Sequence, residues 1–227
     1  MVKETSRTAE TMNNHPPTPT PTPTPTFRAF IAIELPKDAL DVLSAAQDTL
    51  RARLGRAAGA VRWVRAEGIH LTLQFLGSVP EASVEQIQQA MRAGSERVGP
   101  LTLSLSGIGA FPNPRRPRVI WVGIGGDERS LAALHALQAG VARELSVLGY
   151  MPDKQFHPHL TLGRVREDAK PDEVAAIADA VAKGAGAPPP HSFHVNSVSL
   201  MQSDLRPGGA VYTRRAALKL SGGIREP

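Results

Sequence analysis

"IHLTLQFLGS" spans Ile69–Ser78 of this 227-residue chain, and "FHPHLTLGRV" spans Phe156–Val165. Both stretches contain the tetrapeptide HLTL, which begins at His70 and again at His159, so the two copies are 159 − 70 = 89 residues apart. A repeat at such a spacing in a short chain indicates an internal duplication. We therefore expect two related lobes that face one another across a cleft.

Each copy of the motif predicts a strand with two different faces, because successive side chains of a strand point in opposite directions. In the first copy the expected buried face is apolar and consists of Ile69, Leu71, Leu73 and Phe75. The opposite face is polar and consists of His70, Thr72 and Gln74. In the second copy His159 and Thr161 take the same places. Each motif thus presents a histidine and a threonine about 7 Å apart along its strand.

The remaining patterns predict strands and helices in mixed order. Strand-like runs occur at Phe27–Leu35, Val61–Arg65, Ile69–Leu76, Leu101–Ile108, Arg118–Ile124, His157–Arg164, Phe193–Gln202 and Val211–Leu220. Helical patterns begin at Pro36, Pro80 and Pro171, and a further one carries a leucine stripe that stops at Gly149. Some strands follow each other directly, which favours antiparallel pairing. We expect an α+β fold of two pseudo-symmetric lobes, each a mainly antiparallel sheet with helices on its outer face, around an active-site cleft.

Composition divides the chain into two parts and limits its chemistry. The alternation "HPPTPTPTPTPT" ends at Thr26, and it predicts a disordered extension over residues 1–26 and one folded domain over residues 27–227. The formal charge of +5 and the pI of about 10.0 favour a polyanionic partner. The absence of cysteine excludes disulfides, thiolate metal sites and a thiol nucleophile. The sequence contains no apolar run of membrane-spanning length and no signal-peptide core at its N-terminus, so we expect a cytoplasmic protein that does not bind membranes.

Paired histidines suit proton transfer near neutral pH, since one imidazole can accept a proton while the other donates one. A hydroxyl beside each ring can donate a hydrogen bond to an anionic oxygen. Arg164 adds a permanent positive charge at the end of the second strand. This combination fits a phosphodiester, which needs a base for the attacking oxygen, an acid for the leaving oxygen and donors for the non-bridging oxygens.

The segments "HLTLQFLG" and "HPHLTLGR" resemble the paired signatures of the two-histidine phosphoesterase superfamily. More closely, residues 27–227 resemble the RNA 2′,3′-cyclic phosphodiesterases, which are also called the 2′-5′ RNA ligase or LigT family. Supporting segments are "RAFIAIELP", "VRWVRAEGIHLTLQFLG", "FPNPRRPRVIWVGI" and "SVSLMQSDLRPGGAVYT". The resemblance implies that His70 is a proton donor and His159 a proton acceptor. It also implies that Thr72, Thr161 and Arg164 bind the phosphate.

The implied activity is hydrolysis of 2′,3′-cyclic phosphate ends of RNA, tRNA fragments among them, to 2′-phosphomonoesters by a monomer without metal or cofactor. Reversal of the reaction would join RNA ends through a 2′-5′ linkage without ATP. Two alternatives stay open at this point. The protein could act on small cyclic nucleotides or 2′-5′ oligoadenylate, or it could be an RNA-end binding protein without turnover, although a binder does not need two titratable imidazoles.

Several other residues have both a structural and a functional interpretation. His157 forms an H-x-H pair with His159, but no third metal ligand is evident, which argues against zinc. The loop arginines Arg115, Arg116 and Arg118 are equally compatible with RNA backbone contacts and with a solvated loop. Trp63 or Phe75 could stack on a base, but the alternation predicts Phe75 in the core. Packing roles are expected for Tyr212 and Trp121, a structural role for His135, and solvent exposure for His191 and His194.

A chelator tests whether the histidines act without a metal. We expect EDTA to leave the rate of cyclic-phosphate hydrolysis unchanged, and added divalent ions to be unnecessary. The measurement is the initial rate before and after chelation and dialysis. Loss of activity that zinc or manganese restores would instead assign His157 and His159 to a metal site.

Overall fold

A computed structural model describes residues 25–152, 155–206 and 209–222. The strands in these ranges are β1 (Thr26–Glu34), β2 (Val61–Trp63), β3 (His70–Pro80), β4 (Leu101–Phe111), β5 (Val119–Gly125), β6 (His159–Val165), β7 (Ser192–Val195), β8 (Ser197–Arg206) and β9 (Gly209–Lys219). The α-helices are α1 (Lys37–Leu54), α2 (Val84–Ser95), α3 (Glu128–Val147) and α4 (Pro171–Ala182). Within the described ranges, no helix has the length and apolar character that crossing a membrane requires.

The predicted extension, residues 1–26, lies almost wholly outside the described residues. Its last two residues take part in the sheet. The carbonyl of Pro25 accepts a hydrogen bond from the amide of Glu81 at 3.0 Å, and Thr26 is paired with Pro80. The ordered structure therefore begins no later than Pro25.

Helix boundaries follow the signals in the sequence. Helix α3 begins after Asp127, whose carboxylate accepts a hydrogen bond from the amide of Ser130 at 2.6 Å. Helix α4 begins at Pro171. Proline is tolerated at this position because the first N–H groups of a helix have no intrahelical acceptor. Helix α2 begins later than predicted, because Glu81–Ser83 form a 3₁₀ turn before it. The predicted strand at Phe193–Gln202 is divided into β7 and β8, which lie either side of one residue.

All strands pair antiparallel in one sheet of nine strands among the described residues, so the α+β prediction is confirmed. The order across the sheet is β7-β4-β5-β6-β3-β1-β8-β9, and β2 pairs with β6 beside β3. The two sheets expected from the sequence are thus continuous. They join where Leu71 of β3 pairs with Leu160 of β6.

The order of elements shows the duplication directly. The series β1, α1, β3, α2, β4 is followed by the similar series β5, α3, β6, α4, β8. Equivalent elements are almost evenly spaced: α3 begins 128 − 37 = 91 residues after α1, β6 begins 159 − 70 = 89 after β3, and α4 begins 171 − 84 = 87 after α2. Equivalent strands also lie at equal distances from the β3–β6 junction.

Each half completes the sheet of the other. Strand β1 lies between β3 of its own half and β8 of the second half. Strand β5 lies between β6 of its own half and β4 of the first half. The last strand of each series is therefore exchanged between the halves, so neither half has its full set of strand neighbours without the other.

The helices share a buried core with one face of the sheet. Leu71 and Leu160 belong to a large apolar cluster that also contains Leu43 of α1, Ile87 of α2 and Leu134 of α3. A second cluster brings Ile177 of α4 together with residues of β2, β5 and the end of α1. Burial of these residues leaves the polar side chains of the two motifs on the opposite face.

Strand β3 departs from strict alternation, and the prediction that Phe75 is buried is wrong. Leu73 and Leu76 have no paired residue in β1, so β3 has a bulge at each of them, and both leucines are buried. These irregularities move Gln74 into a buried position and leave Phe75 57% exposed. Because a bulge changes the face on which the following residue lies, the aromatic ring is directed away from the core.

The crossing of α2 and α3 depends on two glycines. A Cβ at Gly94 would lie 2.6 Å from the backbone carbon of Gly140. Alanine normally stabilises a helix relative to glycine by about 1 kcal/mol. Here we expect Gly94→Ala to lower the free energy of unfolding by about 1–3 kcal/mol, because the helices must separate. Chemical denaturation measures the change.

A matched control is Gly59→Ala, since a Cβ at Gly59 meets no atom within 4 Å. This variant should be as stable as the parent chain or slightly more stable. Equal stability of the two variants would show that the α2–α3 crossing tolerates the added carbon.

Candidate active site

The pairing of Leu71 with Leu160 brings the two motifs side by side. In an antiparallel pair the adjacent residues then oppose each other in reverse order. His70 therefore lies across from Thr161, and Thr72 across from His159. The two leucine side chains are buried beneath, and the four polar side chains are on the other face.

These four side chains line one cavity of about 560 Å³. Its wall also includes Arg164, Gln74 and the aromatic residues Phe75, Phe111, Phe156 and Tyr212. The prediction that residues 89 apart in sequence converge on one cleft thus agrees with the structure. The cavity combines two imidazoles, two hydroxyls, one guanidinium and several aromatic rings.

Both imidazoles are oriented by the same local contact. His70 Nδ1 lies 2.8 Å from the carbonyl oxygen of Gly68, and His159 Nδ1 lies 2.6 Å from that of His157. A carbonyl only accepts hydrogen bonds, so each Nδ1 must carry the hydrogen. The nitrogen that gains or loses a proton is consequently Nε2 in both rings. Two Nε2 atoms are thereby available for proton transfer at the cavity.

Burial dominates the electrostatics of both histidines. Desolvation lowers the pKa of His70 below its ordinary value, and the Gly68 carbonyl and the Glu34 carboxylate oppose this effect only in part. Desolvation likewise lowers the pKa of His159, with partial opposition from the His157 carbonyl. The positive charge of Arg164 lowers the pKa of each ring further. Neutral imidazole is therefore favoured at both positions when the cavity holds no anion.

Aromatic rings fix the imidazole planes. Phe30 stacks on His70 with ring centroids 4.6 Å apart, and Tyr212 meets the same imidazole edge-on at 5.0 Å. Phe111 meets His159 edge-on at 4.9 Å. Such contacts restrict ring rotation, and they also account for much of the desolvation.

One carboxylate breaks the symmetry of the two motifs. Glu34 of β1 is paired in register with His70, whereas Gly123 of β5 is paired with His159. Partial burial opposes ionisation of Glu34, but hydrogen bonds from Arg214 and Ser199 outweigh it, and the pKa of the carboxyl lies below its ordinary value. The Arg214 contact is bidentate, at 2.8 and 2.7 Å. His70 thus has an anionic neighbour at a position where His159 has no side chain.

The predicted phosphate ligands are placed around the imidazoles. Thr72 and Thr161 are half-buried and line the cavity beside the two histidines. Arg164 is exposed and also lines the cavity. All three side chains can therefore reach a ligand in the cavity.

Two residues of the cavity wall contact the histidines but cannot be identified from the sequence. The sequence predicts only a packing role for Tyr212, which contacts His70 and lines the cavity. Phe111 contacts His159 and also lines the cavity. Neither has a local sequence signal, because each comes from a strand distant in sequence from the histidine that it contacts. Trp121 packs beside Phe111, and Trp63 packs away from the cavity with its indole N–H bonded to the Ala58 carbonyl at 3.1 Å.

The other histidines have ordinary environments. His135 is exposed and contacts Phe156 edge-on, His194 is exposed and bonds Thr102 at 3.0 Å, and His191 is only partly exposed, 3.2 Å from Asp38. His157 lies beside the cavity, but the described residues contain no group of three or more side chains suited to hold a metal ion.

The loop arginines lie between β4 and β5. Arg115, Arg116 and Arg118 are all exposed, and the Asn113 side chain accepts hydrogen bonds at 3.1 Å from the amides of Arg115 and Arg116. This contact shapes the loop but leaves the three guanidinium groups in solvent. Both interpretations of these arginines stay open.

Comparison with known proteins assigns the family. The family model described as LigT like Phosphoesterase matches the chain twice, over residues 33–121 and 126–212. The first match extends from the end of β1 to the start of β5, and the second extends from α3 to the first part of β9. The chain belongs to the LigT-like phosphoesterase family.

Relatives of known name are similar over most of the chain. An RNA 2′,3′-cyclic phosphodiesterase of Methanothermobacter thermautotrophicus is 33% identical over 85% of this chain and 98% of its own length. One from Aeropyrum pernix is 35% identical over 72% and 88%. The crystal structure of E. coli LigT with 3′-AMP is 27% identical, covers 87% of this chain and 99% of its own, and has a TM-score of 0.59.

The Glu34 carboxylate provides a test of the asymmetry. Its charge raises the pKa of His70, so Glu34→Gln should lower the pKa of His70 further and leave that of His159 unchanged. Titration of the two imidazoles by nitrogen-15 NMR measures both values. In the parent chain both should lie below the ordinary value of about 6.5.

A second carboxylate–arginine pair supplies the control. Glu81 accepts a bidentate contact from Arg215, but Glu81 is not among the groups that influence His70. Glu81→Gln should therefore leave both imidazole titrations in place. Equal shifts of His70 and His159 in Glu34→Gln would contradict the proposed asymmetry.

Proposed function

We propose that this protein hydrolyses 2′,3′-cyclic phosphodiester ends of RNA to 2′-phosphomonoesters. The observation that carries the proposal is one cavity into which two repeated strands bring two imidazoles with available Nε2 atoms and two threonine hydroxyls. Membership of the LigT-like family supports it, as do relatives named RNA 2′,3′-cyclic phosphodiesterases. In functional terms the halves act as two pseudo-symmetric lobes with the reaction between them.

In this mechanism His159 acts as the base. Its neutral Nε2 removes a proton from water, which attacks phosphorus in line with the 3′ oxygen. His70, protonated at Nε2, donates its proton to that leaving oxygen, and the phosphate stays on the 2′ oxygen. The two rings are suited to these steps because each Nδ1 is already engaged by a carbonyl, so that only Nε2 exchanges protons.

The phosphate itself is bound by the remaining polar groups. Thr72 and Thr161 donate hydrogen bonds to the non-bridging oxygens, and Arg164 neutralises negative charge that grows as water attacks. An anionic phosphate also favours the protonated form of a nearby imidazole. Binding of the substrate thus offsets the lowered pKa of His70, which must be charged to act as an acid.

The position of Glu34 supports the assignment of His70 as the acid. A carboxylate next to His70 favours imidazolium there, as a general acid requires. Gly123 provides no such charge next to His159, as a general base requires. The two histidines come from similar strands, so their different roles originate in the neighbouring strand of each half.

An exposed aromatic ring at the cavity favours a nucleotide substrate. Phe75 lines the cavity and is 57% exposed, an arrangement in which an RNA base can stack on its ring. Run in reverse, with a 5′-hydroxyl end in place of water, the same groups would form a 2′-5′ linkage without ATP.

Leaving-group chemistry tests the roles of the histidines. His70→Ala and His159→Ala should each reduce turnover of a cyclic-phosphate RNA by about 10²–10⁴-fold. A substrate with a much better leaving group in place of the 3′ oxygen does not need an acid. This substrate should restore the activity of His70→Ala far more than that of His159→Ala, as measured by initial rates.

The product provides the control for substrate orientation. Unmodified enzyme should leave a 2′-phosphate, which chromatography distinguishes from a 3′-phosphate. Equal restoration of activity in the two variants would show shared roles, and restoration of His159→Ala alone would show reversed roles. Binding of cyclic-phosphate RNA without any product would identify an RNA-end binding protein.

A further inference from the structure

Arg62 lies directly beside Arg164 at the edge of the candidate site. In the sheet, Arg164 of β6 is paired with Val119 of β5 on one side and with Arg62 of β2 on the other. Residues that oppose each other in antiparallel strands direct their side chains to the same face. Val119 and Arg164 line the cavity, so Arg62 shares its face, one strand spacing of about 4.8 Å beyond Arg164.

The neighbours of Arg62 along β2 support this orientation. Val61 is buried in the smaller apolar cluster, and Trp63 packs against the same cluster. Alternation along the strand therefore directs Arg62 to the opposite face, which carries the polar residues of the two motifs. Arg62 and Arg164 are both exposed.

This pair of like charges has no carboxylate partner in the described ranges. Five arginines do have a carboxylate partner, namely Arg51, Arg143, Arg166, Arg214 and Arg215. Like charges directly opposite each other destabilise a sheet. What distinguishes Arg62 and Arg164 is therefore this direct opposition, which an anion in contact with both guanidinium groups would relieve.

We infer that Arg62 binds the internucleotide phosphate immediately upstream of the cyclic phosphate, and so forms a second phosphate subsite. The inference rests on the proposed function, in which Arg164 contacts the reacting phosphate. A guanidinium can bind a phosphate through two parallel hydrogen bonds. Arg62 lies one strand spacing, about 4.8 Å, beyond Arg164, so the two side chains can contact successive phosphates of one RNA strand. Arg62 thereby favours RNA ends over cyclic mononucleotides, without contact with the reacting atoms.

Three substrates test the second subsite. The first is a 2′,3′-cyclic mononucleotide, the second a dinucleotide that ends in a 2′,3′-cyclic phosphate, and the third that dinucleotide with an uncharged methylphosphonate linkage. Arg62→Ala should lower kcat/KM for the charged dinucleotide about tenfold, because a hydrogen-bonded charge pair is lost. For the other two substrates, kcat/KM of Arg62→Ala should stay within about twofold of the value for the parent protein.

Two further variants serve as controls. Arg53→Ala removes the same charge from an exposed position on α1 and should leave all three substrates unaffected. Arg62→Lys keeps the charge without the bidentate geometry and should fall between the parent and Arg62→Ala. In Arg62→Ala the slope of log KM against log salt concentration for the charged dinucleotide should also decrease by about 0.7.

The result that overturns the inference is distinct from failure of the proposed function. Equal losses on the mononucleotide and the dinucleotide would show a general charge effect, and no loss on the dinucleotide would show no contact. If the unmodified protein hydrolysed none of the substrates, the proposed function would fail. Fluorescence anisotropy of a labelled dinucleotide would then test the second subsite. Arg62→Ala should still bind the charged dinucleotide more weakly than the parent protein does. Both proteins should bind the methylphosphonate dinucleotide equally.

Discussion

The backbone pairing of Leu71 with Leu160 is the contact on which the candidate site depends. Two identical amphipathic tetrapeptides meet there, and burial of their leucines determines the face on which their histidines and threonines lie. A shift of one residue in this register would bury the imidazoles and expose the leucines. The hydrophobic effect that stabilises the centre of the sheet therefore also positions the histidines and threonines of the candidate site.

The repeat provides two similar histidines, and a local difference gives them different surroundings. Each ring has the same Nδ1–carbonyl contact, the same neighbouring hydroxyl and a lowered pKa from the same cause. The difference lies one strand away, where Glu34 in one half corresponds to Gly123 in the other. A single difference between neighbouring strands thus gives two similar imidazoles different electrostatic surroundings.

Local patterns predicted most of the elements, and the HLTL repeat predicted the convergence of the two motifs. Alternation failed at Phe75, because the bulges depend on how β3 pairs with β1 and not on its own sequence. Tyr212 could not be placed beside His70 either, since that contact requires the position of β9 in the sheet. The pairing of Arg62 with Arg164 likewise depends on register between strands about a hundred residues apart.

The exchange of β4 and β8 between the halves has a consequence for the origin of the chain. A single repeat would leave one side of its first strand without a hydrogen-bonded neighbour, and an identical copy could supply the missing strand reciprocally. Such a pair is a domain-swapped homodimer with one twofold axis through the β3–β6 junction. The present chain has the topology of such a dimer with its two copies joined covalently, and because the copies are joined, one half can carry Glu34 where the other carries Gly123.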